Sequence, residues 1–515
     1  MHDRLRLLKL VFALAGAGVI LVIGLLLAMT VLTRSARHDE ARAAEESAPA
    51  VVAAGSRAGV AQVNPTLPLY DYDPAVEPQR YAREVDVVAT SADAPAGVAR
   101  ALYAAFITDA PADDQQCQQA VRVFRSTDDG QTWQDDGLPA PDPPPPPCDQ
   151  PREGCRTDQL MDPILTMAAD GYPRLGLIWI HGCGSTIARA VRSAEGWSKP
   201  QSLLPIQEGM GATADGSYAL ATADGTEYYS WSVGLPVSFG GQIVICPHGD
   251  CSAPITATIN SRVEFGGLKL YAHPAGGAAV VYSKGLGVRT MLFYRHLWPD
   301  GMWETDREIP LTDLYPTSVV AIGLRAFSLA FVPGHPEEAI ATFIVNSGTQ
   351  LGERASYLAY RRTTDGGATW SGTIYLDGSQ SVTGSGEPQY EIVQFPILAA
   401  SSARGRVGLL YQMRDVHASP SPVHTCFQEY GDGAFTGRRL ILSHDRPSLY
   451  PALTGAWRMG EYNGLAALPI PCYLGAWQSV AEVGGILQGR ILTRLICQGG
   501  ELPPYRNLLP FASNR

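Results

Sequence analysis

Apolar residues in this chain fall in short alternating runs cut by Gly, Pro, Asp and Ser, and no long amphipathic helix pattern appears after residue 67. Such runs predict β-strands joined by tight turns. They group into seven units. The first holds Val85–Val88 and Ala101–Ile107, the second Ile164–Met167 and Leu175–Ile180, the third Tyr218–Thr222 and Tyr228–Val233. The fourth holds Ala278–Tyr282 and Thr290–Tyr294, the fifth Ser328–Val332 and Ala339–Ile344, the sixth Val407–Tyr411 and Glu429–Phe435. The seventh starts at Gly460-Glu461-Tyr462-Asn463-Gly464 and includes Tyr473–Trp477 and Ile491–Leu495. One such unit cannot cover both of its sheet faces. Packed radially, the units close around an axis and leave few free edges.

The N-terminus has a different pattern. Leu10–Leu32 carries no charge, and at about 1.5 Å rise per residue it reaches across a bilayer core of roughly 30 Å. It exceeds the usual apolar region of a signal peptide, and Ser35-Ala36-Arg37 is a poor cleavage site. The expectation is an uncleaved single-pass signal anchor, with cleavage as the alternative. Residues 1–9 are then a cytoplasmic tail. Residues 33–66, rich in Ala, Glu, Arg and Ser, read as a flexible stalk. The repeat domain is expected over 67–499, followed by a tail at 500–515. Flanking positive charges do not decide the orientation. The short tail and the downstream cysteines favour a cell-membrane protein with its large C-terminal domain extracytoplasmic.

Two stretches repeat one pattern: Ser126-Thr127-Asp128-Asp129-Gly130-Gln131-Thr132-Trp133 and Thr363-Thr364-Asp365-Gly366-Gly367-Ala368-Thr369-Trp370. Glycine permits a turn dihedral, the Asp carboxylate accepts turn N–H groups, the hydroxyl helps, and the Trp lays its ring on apolar surface. Worn versions stand at Ser193–Ser198 and Asp300–Trp303. The pattern resembles the Asp box, or BNR repeat, of sialidase-like β-propellers. The resemblance implies an all-β propeller of six or seven blades, since sialidases have six and the units here number seven. It also implies that Ser126, Asp128, Gly130, Trp133, Thr363, Asp365, Gly367 and Trp370 are structural turn residues away from any catalytic face.

The same resemblance says what a sialidase requires: three arginines on a carboxylate, a Tyr–Glu nucleophile pair and an Asp acid/base. Its first arginine belongs to a Phe/Tyr-Arg-Ile-Pro motif, which this sequence lacks. The remaining candidates are Tyr462, Glu461 and Arg458 in the seventh unit and Arg414 with Asp415 in the sixth. Neighbours on a regular strand face opposite ways, so Glu461 and Tyr462 cannot both enter one pocket there. The expected function is a glycan- or ligand-binding or scaffold propeller at the cell surface. The alternatives are an exo-α-sialidase or related glycoside hydrolase, and an assembly factor for a membrane complex.

Nine cysteines fit no zinc spacing, and no metal or cofactor is expected. Cys246-Pro-His-Gly-Asp-Cys251 has hairpin spacing for a disulfide. Cys148, Cys155 and Cys117 compete for one another, Cys472 and Cys497 flank the last unit, and Cys183 is the expected odd thiol. Disulfides agree with an oxidising compartment. A net charge of -11 with no basic stripe argues against nucleic acid.

Overall fold

The computed structural model describes residues 61–63, 67–70, 81–91, 94–109, 120–140, 159–181, 184–205, 215–235, 238–259, 263–286, 289–311, 327–348, 354–376, 390–415, 423–435, 439–445, 463–483 and 486–498. All belong to one compact unit, Val60–Arg515. Their strands form seven antiparallel sheets, the blades of a β-propeller, so the blade number is seven and not six.

Blade 1 runs Tyr81–Ala89, Leu102–Asp109, Ala120–Ser126, Gln134–Asp135. Blade 2 runs Gln159–Met167, Pro173–His181, Gly184–Ser193, with Gly196–Trp197 and Gln201–Ser202 on its outer edge. Blade 3 is Asp215–Ala221, Glu227–Leu235, Ser238–Cys246, Ile255–Ile259. Blade 4 is Val263–Ala272, Ala278–Leu286, Arg289–Leu297, Arg307–Ile309. Blade 5 is Phe327–Val332, His335–Gly348, Arg354–Thr363, Ile374–Tyr375. Blade 6 is Tyr390–Ser401, Arg406–Asp415, Val423–Gly431, edged by Ala434–Phe435 and Leu440–Asp445. Blade 7 is Gly464–Ala467, Cys472–Val483, Ile486–Gln498.

The outer edge of blade 7 comes from the other side of the chain: Ala61–Val63 and Leu67–Tyr70 both pair with Ile486–Gln498. This corrects the sequence reading, which placed Ala61–Val63 in a strandless stalk. Three residues are too few for alternation to register, and the pairing edge lies at the far end of the chain. Opposed within the same blade, Cys472 and Cys497 form a disulfide.

The second strands read as nearly unbroken apolar runs because neighbouring blades cover both faces. Leu102, Ala104 and Phe106 pack toward blade 7, and Tyr103, Ala105 and Ile107 toward blade 2. First strands line the axis and contact one another in order, with Gly464–Ala467 meeting Tyr81–Ala89 to close the ring. Side chains staple them together. Asp86 Oδ2 accepts the Leu165 amide at 2.7 Å and Thr166 Oγ1 the Ala221 amide at 2.8 Å. Lys269 Nζ donates to the Phe327 carbonyl at 2.6 Å, and Ser328 Oγ accepts the Leu398 amide at 3.1 Å.

Among the described residues no helix is long and apolar enough to cross a membrane. Leu10–Leu32, the stalk before residue 61 and the tail at 500–515 lie outside them.

Candidate functional site

The two repeated turns have the same geometry. Each joins the third strand of its blade to the fourth, in blades 1 and 5. Asp128 Oδ1 accepts the Thr132 amide at 2.9 Å and Oδ2 the Thr132 hydroxyl at 2.6 Å. Asp365 accepts the Thr369 amide and hydroxyl at the same two distances. The Ser126 and Thr363 hydroxyls each donate to their Asp at 2.7 Å and accept a glycine amide, Gly130 or Gly367, at 2.9 Å. Bonds from Thr369 and Thr363 hold the exposed Asp365 carboxyl down at about 2. Trp133 and Trp370 lay their rings on the cores behind the turns. These aspartates have no spare role: they are turn staples, as the pattern implied.

Gly367 also shows why the turn sits at a blade seam. Its φ is +87°, and a Cβ there would lie 3.1 Å from the Tyr294 ring of blade 4, whereas at Gly366 (φ +67°) a Cβ would meet nothing within 4 Å. Gly366→Ala is therefore expected to cost about 1 kcal/mol, the left-handed penalty alone. Gly367→Ala should cost more, because Tyr294 must also shift. Urea midpoints of the two variants check this, and equal losses would remove the packing argument.

The strands of each blade alternate in direction, so these turns share one end of the blades with the turns between first and second strands. On the axis, midway along the first strands, lies a chamber of about 200 Å³. It is lined from all seven blades: Val85–Val88, Ile164, Leu165, Tyr218, Ala219, Lys269, Tyr271, Ser328, 396–398, Asn463 and Leu465. Its walls are mostly aliphatic, with a few polar groups turned inward. Burial pushes the Asp86 carboxyl up to about 7, against the opposing pull of the Leu165 and Val87 amides. Burial also raises the Tyr218 hydroxyl, and takes Tyr271 up to about 12. The two rings stand 6.0 Å apart. The Tyr271 hydroxyl has Ser328 and Tyr218 as polar neighbours but meets neither at full hydrogen-bond geometry. Lys269 is 4 % exposed, its ammonium 5.0 Å from the Phe327 ring and 5.9 Å from that of Tyr218. Asn463 is 2 % exposed, and neither its amide nitrogen nor its oxygen, both buried, has a partner among the described residues.

Toward the other end from the repeated turns, the ladder between first and second strands breaks in five blades. The shifts fall between Arg83/Asp86, Met161/Ile164, Asp215/Tyr218, Val263/Leu268 and Gln394/Ile397. In blades 1 and 2 the bulge holds a buried acid in left-handed backbone, Glu84 at φ +55° and Asp162 at φ +49°. A non-glycine residue held there is strained, and bulges of this kind re-aim side chains beside binding sites.

The sequence candidates are distributed as follows. Arg458, Glu461 and Tyr462 lie outside the described residues. Arg414 and Asp415 end the second strand of blade 6, opposite Glu391 and Tyr390 of its first strand. Outside those candidates, Arg295 of blade 4 is taken up by Asp306, the Glu304 carbonyl and the Trp303 ring. The Cys246–Cys251 disulfide forms in a hairpin turn. Cys117, Cys148, Cys155 and Cys183 lie outside the described residues, and Cys426 is a free thiol, buried and pushed up to about 12 by desolvation. Among the described residues no cluster of His, Cys, Asp or Glu could hold a metal ion.

The sequence missed Asn463, because Asn-Gly reads as a turn, yet here it leads into a first strand. It also missed a Tyr–Glu–Arg cluster at the seam of blades 2 and 3. Glu227 Oε1 accepts Arg174 Nε at 2.7 Å, and Oε2 accepts the Tyr229 hydroxyl at 2.6 Å and the Arg189 guanidinium at 2.7 Å. These residue types resemble a sialidase nucleophile with its arginines. Here, however, Tyr229 is fully buried and Glu227 is 1 % exposed, with every charge paired in the seam. The cluster is a clamp between blades.

The described residues thus define a seven-bladed β-propeller with an axial chamber. No protein-family model and no curated protein matches the chain. Solved structures similar to it include an α-L-arabinanase of Penicillium chrysogenum complexed with arabinobiose, at 11 % identity and TM-score 0.37, covering 84 % of this chain and 98 % of that one. The α-L-arabinofuranosidase Arb93A of Fusarium graminearum aligns at 10 % identity and TM-score 0.40, over 86 % of this chain and 97 % of that one. Trypanosoma rangeli sialidase, in complex with the inhibitor DANA, aligns at 10 % identity and TM-score 0.37, over 85 % of this chain but 60 % of that one. Sialidase and arabinanase propellers are the neighbours of this fold, and the likeness goes no further than the fold.

Proposed function

We propose that this chain is a ligand-binding β-propeller of the sialidase-like type, holding a glycan or other cell-surface ligand on its axis. The carrying observation is the axial chamber, where seven strands converge and a few polar groups, Asp86, Tyr218, Lys269 and Ser328 among them, stand in a mostly aliphatic wall. A concave, mostly apolar site with a few placed polar groups is the usual form of a small-ligand site. The anchor at 10–32 would hold the domain outside the membrane, and the two disulfides suit that oxidising side.

Binding is favoured over sialidase chemistry by the cations. Among the described chamber residues the cation is Lys269, a point charge already committed to a carbonyl, and no arginine fork is present. An assembly-factor role finds no comparable feature among the described residues.

The test is a glycan array probed with the full-length chain, purified in detergent under oxidising conditions, beside a fluorogenic α-sialoside assay. Glycan binding without turnover is expected. Turnover lost in both Tyr462→Phe and Arg458→Ala would make the protein a sialidase and overturn this reading.

A further inference from the structure

We propose that the stacked imidazoles of His273 and His296 are an acid-released latch holding blade 5 against blade 4. His273 stands in the turn after Val263–Ala272, the first strand of blade 4. His296 is buried on the third strand, Arg289–Leu297. Their rings lie face to face, with centroids 3.7 Å apart and planes inclined by 20°. Across the seam Phe331, on the first strand of blade 5, meets the His273 ring edge-on at 5.2 Å. His273 is the middle layer between the two blades.

The two rings face opposite kinds of partner. His296 Nε2 lies 2.6 Å from the Gly276 carbonyl, and its Nδ1 lies 3.1 Å from Glu304 Oε1. Both partners accept, so a proton gained by His296 completes a hydrogen bond to a carboxylate. His273 Nδ1 instead accepts the Ala275 amide at 3.1 Å. A proton there meets an N–H, removes one of the bonds that shape the turn, and sets a second positive ring against the first. One ring is built to take the proton and its neighbour to refuse it.

The surroundings act in the same direction. The titratable and charged groups facing His273 are His296 and Tyr294 on the third strand, Glu304 beyond it and Arg307 on the fourth, while blade 5 presents Phe331. Burial, His296 and Arg307 push the His273 ring down to about 4, against the pull of Glu304, whereas a freed ring titrates at 6.5. Between those values the opened turn binds a proton that the closed turn does not, so falling pH favours opening.

Other seams lack this sensitivity. Seams 2–3 and 6–7 close at the same end on guanidiniums, Arg174 to Glu227 and Arg404 to the Pro471 carbonyl, which stay charged throughout. Seam 4–5 has one such bond, Arg307 to the Gly366 carbonyl, and adds the imidazole stack. Loosening it reaches the axis, because Val263–Ala272 carries Lys269 and Tyr271 and Phe327–Val332 carries Ser328, all at the chamber wall.

The experiment is hydrogen exchange, read by mass spectrometry, on the full-length chain in detergent between about pH 7 and 4.5, corrected for the intrinsic pH dependence of exchange. Wild type is compared with His273→Asn and His273→Phe, neither of which titrates at this position. Asparagine keeps an acceptor for the Ala275 amide, in the manner of Asp300 Oδ1 toward the Met302 amide at 2.9 Å. Phenylalanine keeps a ring between His296 and Phe331. In wild type the opening constant of residues 273–277 and 327–332 is expected to rise about tenfold as pH falls. The full shift would give roughly a hundredfold, and the half-buried ring is partly screened by solvent. Both variants should show no such rise. Urea midpoints give a second reading, as the gap between wild type and each variant, because Asp86 changes stability the opposite way over this range.

A rise in both segments of wild type that is lost in both variants supports the latch. A rise confined to 273–277 means that the turn titrates without holding blade 5, and overturns it. A rise of equal size in either variant assigns the effect to another group, and no rise in wild type leaves the stack inert. Either result also overturns the proposal.

Discussion

Glu227→Ala is expected to destabilise the propeller by about 3–5 kcal/mol, the cost of leaving buried charge without its partner. Glu227 holds Arg174 and Arg189 on separate oxygens and also accepts the Tyr229 hydroxyl. Removing it leaves two guanidiniums in a seam where Arg174 is 9 % and Arg189 15 % exposed. Arg174 keeps Asp170, and Arg189 keeps the Gly249 carbonyl, so neither loses everything. Burial alone would lower the Arg174 guanidinium, but Asp170 and Glu227 hold it above its ordinary value. Glu227→Gln should cost less, because it keeps the shape and one acceptor. Replacing the whole clamp with apolar residues of like volume should come close to neutral. Urea unfolding of these three variants decides the matter. A loss under about 1 kcal/mol for Glu227→Ala would mean the seam admits water and the clamp is a surface ion pair.

Clamps of this kind recur at the same end of other seams. Arg404 is bidentate on Glu429 and reaches the Pro471 carbonyl of blade 7. Tyr430 donates to Glu338, and Arg362 reaches the Gly433 carbonyl, between blades 5 and 6. The sequence could not show them. Arg174 and Glu227 stand on different blades, and nothing in the spacing of Tyr172-Pro173-Arg174 says what faces it. The blades themselves were legible, because a strand covered on both faces must be apolar throughout, and the turns because Asp128 and Asp365 act only on residues four positions away. Local chemistry writes itself into local sequence. The pairing of Ala61–Val63 at the outer edge of blade 7 and the burial of Asn463 beside the axial chamber depend on distant partners, so the chain carries no short-range sign of them. The seam cluster is also a warning about composition: Tyr, Glu and two Arg together look catalytic, and burial makes them structural.

Stability should fall by about 4 kcal/mol as pH rises from about 4 to about 7, through Asp86 alone. Burial lifts its carboxyl from 3.8 to about 7 in the folded chain, with the Leu165 and Val87 amides pulling the other way. Below pH 3.8 both folded and unfolded chains hold the proton, and Asp86 adds no pH dependence. Between the two values the unfolded chain releases a proton that the folded chain keeps. The folded state is then penalised by roughly 1.4 kcal/mol per pH unit. Above about 7 both states are ionised and the penalty is complete. Other acids add their own slopes, so the measured quantity is the gap between wild type and Asp86→Asn across that window. The variant keeps the shape but turns an N–H₂ toward Leu165 or Val87 in place of an acceptor. It should start about 1–3 kcal/mol below wild type at acid pH. It should then draw level or pass it at neutral pH, because its own group does not titrate. A gap that stays constant across the window would mean the chamber is wet enough to solvate the carboxylate. Near neutrality Asp86 is poised between hydrogen-bond donor and acceptor, while Tyr271, pushed up to about 12, stays protonated.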